Sequence, residues 1–364
     1  MNKYHDTTFY LICSNIKDFK FINEIFGMEK GNQVLIKQAK LMASNPSERT
    51  ICARLMNDRF ALCLPREEFD EKRVADSVKE LQREFSGNSF HLHTYMGVYE
   101  IRDRDEAVSI MVDKANIAAD TIKNNYDCCV AYYDEHLLEI SIEQRRLLGE
   151  FEPALQKGEF VMYLQPQVNR DGAAKGAEAL VRWAHPSRGI LTPYAFIDIL
   201  ENAGLIYKLD LYIWEKAAQK LAEWKEKGYG SYHISVNIST KDFYIIDIYE
   251  TFTGLINKYG IAASNLHLEI TETTLMTDFE KNMNIIHKLQ DVGFRVEIDD
   301  FGSGYSSLNM LKDISADVLK IDMGFLRKSE NEVKGQDILE SIITLAGKIG
   351  MDVITEGVET KKAA

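Results

Sequence analysis

Short apolar runs and helically spaced apolar residues alternate along the first third of the chain. The runs at 9–16, 51–64 and 90–99 have the apolar and aromatic content of strands, and 30–43, 70–85 and 105–124 have helical spacing. This pattern predicts an α/β domain over residues 1–133, with a central sheet and flanking helices.

A charged helical pattern follows this domain. Leu137, Ile140, Leu147 and Leu155 recur at helical intervals among charges, and Gly158 is a typical helix stop. We therefore expect a connecting helix over residues 134–157.

From residue 158 onward the alternation of strands and helices becomes regular. Predicted strands lie at 160–165, 177–183, 232–238, 266–271, 294–300, 317–322 and 351–355, and amphipathic helices lie at 193–203, 206–227, 275–292 and 335–349. Repeated βα units favour parallel strands and a TIM-like (β/α) barrel over residues 158–364. One strand is missing, so the prediction is a barrel that lacks its last βα unit.

Polar residues gather at the carboxyl ends of these predicted strands, where barrel enzymes place their active sites. They are Glu178, Asn237, Glu269, Glu272, Asp299, Asp300, Lys320, Asp322 and Glu356. Several carboxylates at one barrel mouth repel each other strongly unless a cation lies among them.

Carboxylates and an amide oxygen suit Mg²⁺ or Mn²⁺, and we expect no His or Cys ligand in these strands. The adjacent Asp299 and Asp300 could bridge two ions at the spacing used for phosphoryl transfer. Lys320 would then bind the attacking water, and Glu356 would ligate a metal or accept a proton. The alternatives are helix caps, a turn at Asp299–Asp300 and a solvated lysine.

Composition narrows the function classes. The 364 residues carry 43 basic and 56 acidic side chains, a net charge of −13 that argues against binding DNA by bulk charge. Five cysteines without a CxxC pair indicate reduced thiols. No apolar run is long enough to span a membrane. We expect a cytoplasmic location, alone or as the cytoplasmic part of a longer protein.

Seven segments in the second half resemble the EAL domain family of cyclic di-GMP phosphodiesterases. They are YLQPQV (163–168), AEALVRWAHPSRG (177–189), SVNIS (235–239), LEITET (268–273), EIDDFGSGYSSL (297–308), VLKID (318–322) and EGVET (356–360).

The resemblance implies specific roles for these residues. Glu178, Asn237, Glu269 and Asp299 would hold one metal, and Asp299, Asp300 and Glu356 the other. Lys320 would orient the attacking water. Glu272 would tether the FGSGYSS loop, which in the family couples metal binding to dimerisation, so a homodimer is one implied assembly. Gln165, Leu180, Arg182 and Glu359 would contact the dinucleotide.

One departure concerns the end of the chain. Family members carry a further helix and a QGY-like strand after the EGVE segment, and this sequence has neither. The resulting open edges lead us to expect a shortened chain or a compensating partner.

Residues 9–133 resemble a GGDEF domain, the diguanylate cyclase fold, in NIKDFKFINEIFGMEKGNQVL (15–35) and RLMNDRFALCLP (54–65). Met56 and Asn57 replace the two signature glycines, and Arg59 replaces an acid. Asn15 and Lys17 replace two further acids, Asn32 replaces a guanine-reading Asp, and Asn23 is retained. The inhibitory RxxD element would fall on Ser47–Thr50 and is absent. We expect no cyclase activity; GTP binding as a signal and a purely structural role are the two alternatives.

The leading hypothesis is metal-dependent hydrolysis of cyclic di-GMP to linear pGpG. A receptor that holds cyclic di-GMP without cleaving it, and a scaffold that acts through protein contacts, are the alternatives. The full set of implied ligands favours catalysis in a completed chain.

Overall fold

A computed structural model describes residues 4, 6–17, 19–44, 47–85, 92–123, 125, 128–169, 171–301, 314–322 and 332–356. The chain divides into two compact units, Met1–Arg145 and Arg146–Ala364. Among the described residues, no helix has the length and apolar content needed to cross a bilayer.

The first unit is built on a five-stranded sheet. Its strands are β1 (Phe9–Ile16), β2 (Ile51–Arg54), β3 (Phe60–Pro65), β4 (Thr94–Ile101) and β5 (Val130–Tyr132), in the order β2-β3-β1-β4-β5. The helices are α1 (Phe19–Met42), α2 (Glu71–Phe85) and α3 (Val108–Thr121). Only β4 and β5 pair in parallel; the other pairs are antiparallel.

The segment predicted as one strand over 51–64 is a hairpin of β2 and β3. Its turn holds Asn57 at a φ of 56°, a left-handed conformation that Asn tolerates better than most residues. Leu55 N–H donates to the Arg59 carbonyl oxygen at 2.9 Å, and Arg59 N–H donates to that of Met56 at 2.9 Å. The sequence pattern did not reveal this turn, because residues 51–64 contain no Gly or Pro.

Helix α4 (Glu135–Lys157) covers the segment predicted as a connecting helix, and the division between the two units falls within it. Gly158 follows α4 with a φ of 73°. The sequence-based boundaries at 133 and 158 remain predictions.

The second unit is a curled sheet that forms an open half-barrel. Its strands are β6 (Phe160–Val168), β7 (Ala174–His185), β8 (Gly189–Leu191), β9 (His233–Ile238), β10 (Leu266–Thr271), β11 (Arg295–Phe301), β12 (Val318–Asp322) and β13 (Asp352–Glu356). The order is β13-β12-β11-β10-β9-β7-β6, with β8 paired to β7. Within the described residues β6 and β13 are the two edges, so the predicted fold class is confirmed.

Helices connect the parallel strands of this unit. They are α5 (Ile197–Ala203), α6 (Ile206–Glu226), α7 (Asp242–Ile245), α8 (Ile248–Tyr259), α9 (Glu272–Thr277), α10 (Phe279–Val292) and α11 (Glu332–Lys348). The prediction missed α7 and α8.

The prediction of uniformly parallel strands is wrong for β6 and β7, which pair antiparallel from Phe160–Trp183 to Val168–Ala174. The short connection between them contains a turn in which Asn169 Oδ1 accepts a hydrogen bond from the backbone N–H of Ala173 at 2.9 Å. A parallel crossover needs a dozen residues or more, so this connection can only form a hairpin.

Helices cover one face of the sheet and bury large aromatic residues against it. Trp183 and Trp214 are fully buried, and the Trp214 ring lies 4.5 Å from that of Phe252. Trp214 Nε1–H also donates to the carbonyl oxygen of Asn237 at 2.9 Å. Helix α6 therefore holds the end of β9 in place, and the polar side chains of the sheet occupy the opposite face.

Candidate functional site

Four carboxylates from four different strands surround the ammonium group of Lys320 on β12. Lys320 Nζ lies 3.1 Å from Glu178 Oε2, 3.1 Å from Glu269 Oε1 and 3.1 Å from Asp299 Oδ1. It lies 2.8 Å from Glu356 Oε1. The structure thus brings together acids that lie far apart in the sequence, from Glu178 to Glu356. We call these five residues the carboxylate cluster.

Lys320 is buried, with 1% of its side chain exposed. Burial lowers the pKa of Lys320, but the charges of Glu269, Glu178 and Asp299 outweigh that effect, and the net pKa is raised. Its amine therefore stays protonated at neutral pH. It can donate hydrogen bonds or stabilise negative charge, and it cannot act as a base.

Glu269 is the most deeply buried acid of the cluster. Burial raises the pKa of Glu269 well above its usual range, Lys320 opposes the shift, and the charge of Glu178 adds to it. Both carboxyl oxygens lack a well-aligned hydrogen-bond donor among the described residues. Lys320, the ammonium group beside Glu269, is shared with three other acids, so Glu269 is expected to take up a proton or bind a cation.

Strand register aligns Asn237 with this cluster. Asn237 on β9 pairs with Glu269 on β10, and Glu269 pairs with Glu297 on β11. Asn237 Nδ2 donates a hydrogen bond to Glu178 Oε1 at 3.4 Å. The amide nitrogen of Asn237 thus faces a carboxylate of the cluster, and the amide would have to turn over to offer its oxygen to a metal ion.

The backbone is irregular at Asp299 and Asp300. The pairing of β11 with β12 shifts register between Ile298 and Phe301, and Asp300 has a φ of 56°. Left-handed backbone is uncommon outside glycine and is enriched at functional sites. The bulge interrupts the alternation of side chains along the strand. Asp300 therefore need not point to the face opposite Asp299, as it would in a regular strand.

The β6–β7 hairpin groups three of the predicted dinucleotide contacts. Gln165 pairs with Glu178, Tyr163 pairs with Leu180, and these pairs share one face of the hairpin with Arg182. Tyr163 was not among the dinucleotide contacts predicted from the sequence. Its ring is 46% exposed, and the Arg182 guanidinium lies 5.7 Å from the ring centre. Its position two residues before Gln165 was the signal that could have identified it.

Three of the predicted positions are not tested by this geometry. Glu272 is the first residue of α9, directly after β10, and makes interactions with its surroundings. Glu359 and most of the FGSGYSS loop, residues 302–313, lie outside the described residues. The side chain of Asp322 also lies outside them.

The donor set fits divalent cations. One ammonium group faces four carboxyl groups, and the Asn237 amide group lies beside them. Oxygen donors of this kind prefer hard cations such as Mg²⁺ and Mn²⁺. Glu178, Asn237, Glu269, Asp299, Asp300 and Glu356 are the residues that could hold them.

Contrary to the expectation of no histidine ligand, two of these strands contain histidines that could bind a metal ion. His233 begins β9 and His267 lies near the start of β10, and together with Glu297 they form a group with metal-ligand spacing. Both histidines lie near the amino ends of their strands, away from the carboxyl ends where barrel enzymes place their active sites. The group contains nitrogen donors and borders the oxygen-rich carboxylate cluster, because Glu297 pairs with Glu269 on the neighbouring strand.

The first unit has a cavity of about 450 Å³ beside the β2–β3 turn. Asn15, Lys20, Arg59, Tyr95 and Lys123 are among its lining residues. Asn15 Nδ2 donates to the Tyr95 hydroxyl at 2.7 Å, and Asp58 Oδ2 accepts from the backbone N–H of Ile16 at 3.2 Å. One carboxyl oxygen of Asp58 therefore already accepts a hydrogen bond from the backbone of β1.

Comparison with known proteins agrees with both halves of this architecture. The profile of the EAL domain family matches residues 149–364, which is more than half of the chain. The chain belongs to the EAL domain family. The profile described as "Diguanylate cyclase, GGDEF domain" matches residues 1–127, so GGDEF and EAL domains follow each other in tandem.

Curated relatives share this tandem arrangement over nearly the whole chain. The bifunctional diguanylate cyclase/cyclic di-GMP phosphodiesterase MucR of Pseudomonas aeruginosa is 30% identical over 98% of this chain and 53% of its own length. The cyclic di-GMP phosphodiesterase NbdA of the same species is 27% identical over 95% of this chain and 45% of its own length. The EAL chain therefore spans about half the length of the curated relatives it matches.

Solved structures share the fold. The PaMucR phosphodiesterase in complex with c-di-GMP is 33% identical, covers 60% of this chain and 89% of its own, and has a TM-score of 0.57. The S helix-GGDEF-EAL portion of Vibrio cholerae LapD, bound to c-di-GMP, is 17% identical over 97% of this chain and 85% of its own, with a TM-score of 0.60. At that identity the second similarity supports the fold alone.

Proposed function

We propose that the C-terminal unit hydrolyses one phosphodiester bond of cyclic di-GMP to give linear pGpG, with two Mg²⁺ or Mn²⁺ ions as cofactors. The observation that carries this proposal is the convergence of Glu178, Glu269, Asp299 and Glu356 on Lys320 within about 3 Å. Relatives named as cyclic di-GMP phosphodiesterases support the choice of substrate.

Glu178, Asn237, Glu269 and Asp299 would hold one ion, and Asp299, Asp300 and Glu356 the other. When bound, such ions neutralise the phosphate charge and lower the pKa of water. An acidic protein can bind an anionic dinucleotide in this way because the compensating positive charge is local.

Lys320 would orient the attacking water and stabilise charge on the phosphoryl oxygens. Its raised pKa keeps it a hydrogen-bond donor throughout the reaction. Glu356 is the most exposed acid of the cluster, and burial raises its pKa against the opposing effect of Lys320. Glu356 would either ligate the second ion or, if it is left free of metal, accept the proton of the water, because a carboxylate with a raised pKa is a better base.

The hairpin face would bind the dinucleotide beside this cluster. Arg182 offers a planar fork that matches phosphate oxygens, Gln165 and Leu180 lie on the same face, and Glu359 and Glu272 would act from segments that follow β13 and β10. Tyr163 would stack against a guanine base, because its exposed ring lies between the Gln165 and Arg182 positions.

We propose no synthetic activity for the N-terminal unit. Met56 and Arg59 stand where glycine and an acid are expected, and Asp58 is engaged by the Ile16 backbone. This unit would pack, dimerise or relay a signal. GTP binding is the lesser alternative for it.

Incubation of the chain with cyclic di-GMP in Mg²⁺, Mn²⁺, Ca²⁺ or EDTA, followed by product chromatography, tests the proposal. We expect pGpG in Mg²⁺ or Mn²⁺, none in EDTA, and none from Glu178→Gln or Asp299→Asn. Asp171→Asn changes an exposed acid in the β6–β7 turn and should leave turnover unchanged. Calorimetric binding without turnover would identify a receptor, and absence of both would favour a scaffold.

A further inference from the structure

His233, His267 and Glu297 form a second polar group on the inner face of the half-barrel. The two histidines lie nearer the amino ends of their strands than the carboxylate cluster, whereas Glu297 lies level with Glu269. His267 and Glu297 are almost completely buried, and His233 is partly exposed. The proposed phosphodiester hydrolysis uses none of the three residues.

The three side chains are close enough to share one ion. One ligand atom from each lies within 4.8 Å of the others. The two imidazole rings stack in parallel, with centres 3.9 Å apart and planes 3° apart, and His267 Nδ1 lies 2.6 Å from Glu297 Oε1. Two imidazoles and one carboxylate are the ligand set of several protein zinc sites.

His267 faces a hydrogen-bond acceptor at each of its two ring nitrogens. Nδ1 faces the Glu297 carboxylate, and Nε2 lies 3.2 Å from the carbonyl oxygen of Ser264. Both partners are hydrogen-bond acceptors, whereas a neutral imidazole has only one N–H to donate. Nε2–H therefore donates to Ser264, and either a second proton or a metal ion lies between Nδ1 and Glu297.

The neighbouring residues are arranged around these donors. Gln167 Oε1 accepts from His233 Nε2–H at 2.6 Å, which leaves His233 Nδ1 with a free lone pair, and Ser235 Oγ–H donates to Glu297 Oε1 at 3.2 Å. A side chain at Gly176 would place its Cβ 2.4 Å from the His233 ring, so only glycine leaves room for this ring. Such outer partners orient the ligands of metal sites.

The protonation state of His233 also allows its ring to bind a metal ion. Burial and the neighbouring His267 lower the pKa of His233 to about 4. Its ring is therefore neutral at neutral pH, the form in which imidazole binds metals.

We propose that His233, His267 and Glu297 bind one transition-metal ion of the zinc class and so link β9, β10 and β11. The lone pairs of the two parallel rings do not converge, so metal binding would require the His233 ring to turn from its present position. Imidazole nitrogen selects zinc, cobalt or nickel over magnesium, so this site differs in chemistry from the carboxylate cluster. The proposal does not depend on the proposed hydrolysis.

The full chain, stripped with EDTA and then equilibrated with Zn²⁺ and desalted, is analysed for bound metal, and its Co²⁺ form is examined by visible absorption. We expect one zinc retained per chain and the intense d–d bands of four-coordinate cobalt. His233→Ala and His267→Asn should each weaken zinc binding by at least about tenfold. His233 is partly exposed, so its variant keeps the test informative if His267→Asn does not fold.

Two controls assign the signal to this site. His136→Asn alters a histidine that is 75% exposed and should leave zinc binding unchanged, and so should Asp299→Asn in the carboxylate cluster. Failure of the wild-type chain to retain zinc would overturn the proposal in favour of a protonated His267. Zinc binding that survives both histidine variants, or that is lost in Asp299→Asn, would also overturn it.

Discussion

The Nζ atom of Lys320 lies 3.1 Å from Oε1 of Glu269, and the two side chains are 1% and 0% exposed. An ion pair at this depth is stable only if its remaining charges are balanced, because desolvation of each ion costs several kcal/mol. Lys320 also approaches Glu178, Asp299 and Glu356. One lysine therefore holds four acids together, and bound cations are expected to supply the remaining positive charge.

Replacement of this lysine tests that arrangement. Lys320→Met should lower the free energy of unfolding by about 3–5 kcal/mol in EDTA, because it leaves buried acids without a counter-charge. Urea unfolding at pH 8 measures the loss, which should shrink at pH 5 as the acids with raised pKa values, Glu269 and Glu356, take up protons.

Lys258→Met provides the matched control, since Lys258 pairs with Glu215 at an exposed position. It should cost much less than Lys320→Met. Equal effects of the two variants, or a loss at Lys320 that does not depend on pH, would contradict the shared-lysine arrangement.

Tyr163 is expected to contribute to cyclic di-GMP binding through the face of its ring. Tyr163→Ala should weaken binding in Ca²⁺ by about tenfold or more, since stacking of a base on an aromatic ring is worth about 1–3 kcal/mol, and Tyr163→Phe should retain most of the affinity. Calorimetry measures both. Tyr194→Ala removes a ring that is 97% exposed and should change nothing. If the wild type binds and Tyr163→Ala binds equally well, the stacking role is wrong while the proposed function stands.

Asp242 is buried, and the partly buried Asp210 interacts with it through its side chain. Burial, followed by the charge of Asp242, raises the pKa of Asp210, and burial raises the pKa of Asp242. Because the folded state holds protons more tightly than the unfolded chain, this contribution to stability is complete below the unfolded pKa near 3.8. It is lost as the pH rises through the folded values.

Asp210→Asn should therefore reduce the loss of stability between pH 5 and pH 8, since an amide can donate to Asp242 without a titrating proton. Urea unfolding at the two pH values measures the difference. Asp171→Asn, at an exposed position, should leave the pH dependence as in the wild type. An Asp210→Asn variant that loses as much stability as the wild type between these pH values would show that no proton is shared.

The N-terminal unit is expected to form no cyclic di-GMP from GTP and Mg²⁺. The Asp299→Asn variant is the appropriate protein for this assay, because it prevents removal of any product by the C-terminal unit. Chromatography should detect only unreacted GTP. Formation of cyclic di-GMP would show that Met56, Asn57 and Arg59 are tolerated in an active site.

Sequence reasoning identified the strands that carry the carboxylate cluster because each is a short apolar run with a polar end. It could not give the direction of β6 and β7, since apolar content alone does not distinguish parallel from antiparallel pairing. Glu178 was selected as a strand-end acid, whereas the structure places it in the interior of β7, and Tyr163 was identified only through the hairpin register.

The placement of Lys320 and His267 depends on tertiary structure for another reason. The sequence indicated that a cation must lie among the acids, and the three-dimensional arrangement identifies Lys320 as that cation. The alternation in β10 places His267 on the same face as Glu269, but it does not reveal that His267 faces Glu297 on the neighbouring strand.

Measurement of Mn²⁺ binding to the full chain in the presence of cyclic di-GMP, by calorimetry and electron paramagnetic resonance, tests the central claim most directly. We predict two ions per chain, loss of both in Asp299→Asn, and loss of one in Glu356→Gln. A folded chain that binds cyclic di-GMP without any Mn²⁺, or that retains both ions in Asp299→Asn, would contradict the assignment of the carboxylate cluster as a two-metal site.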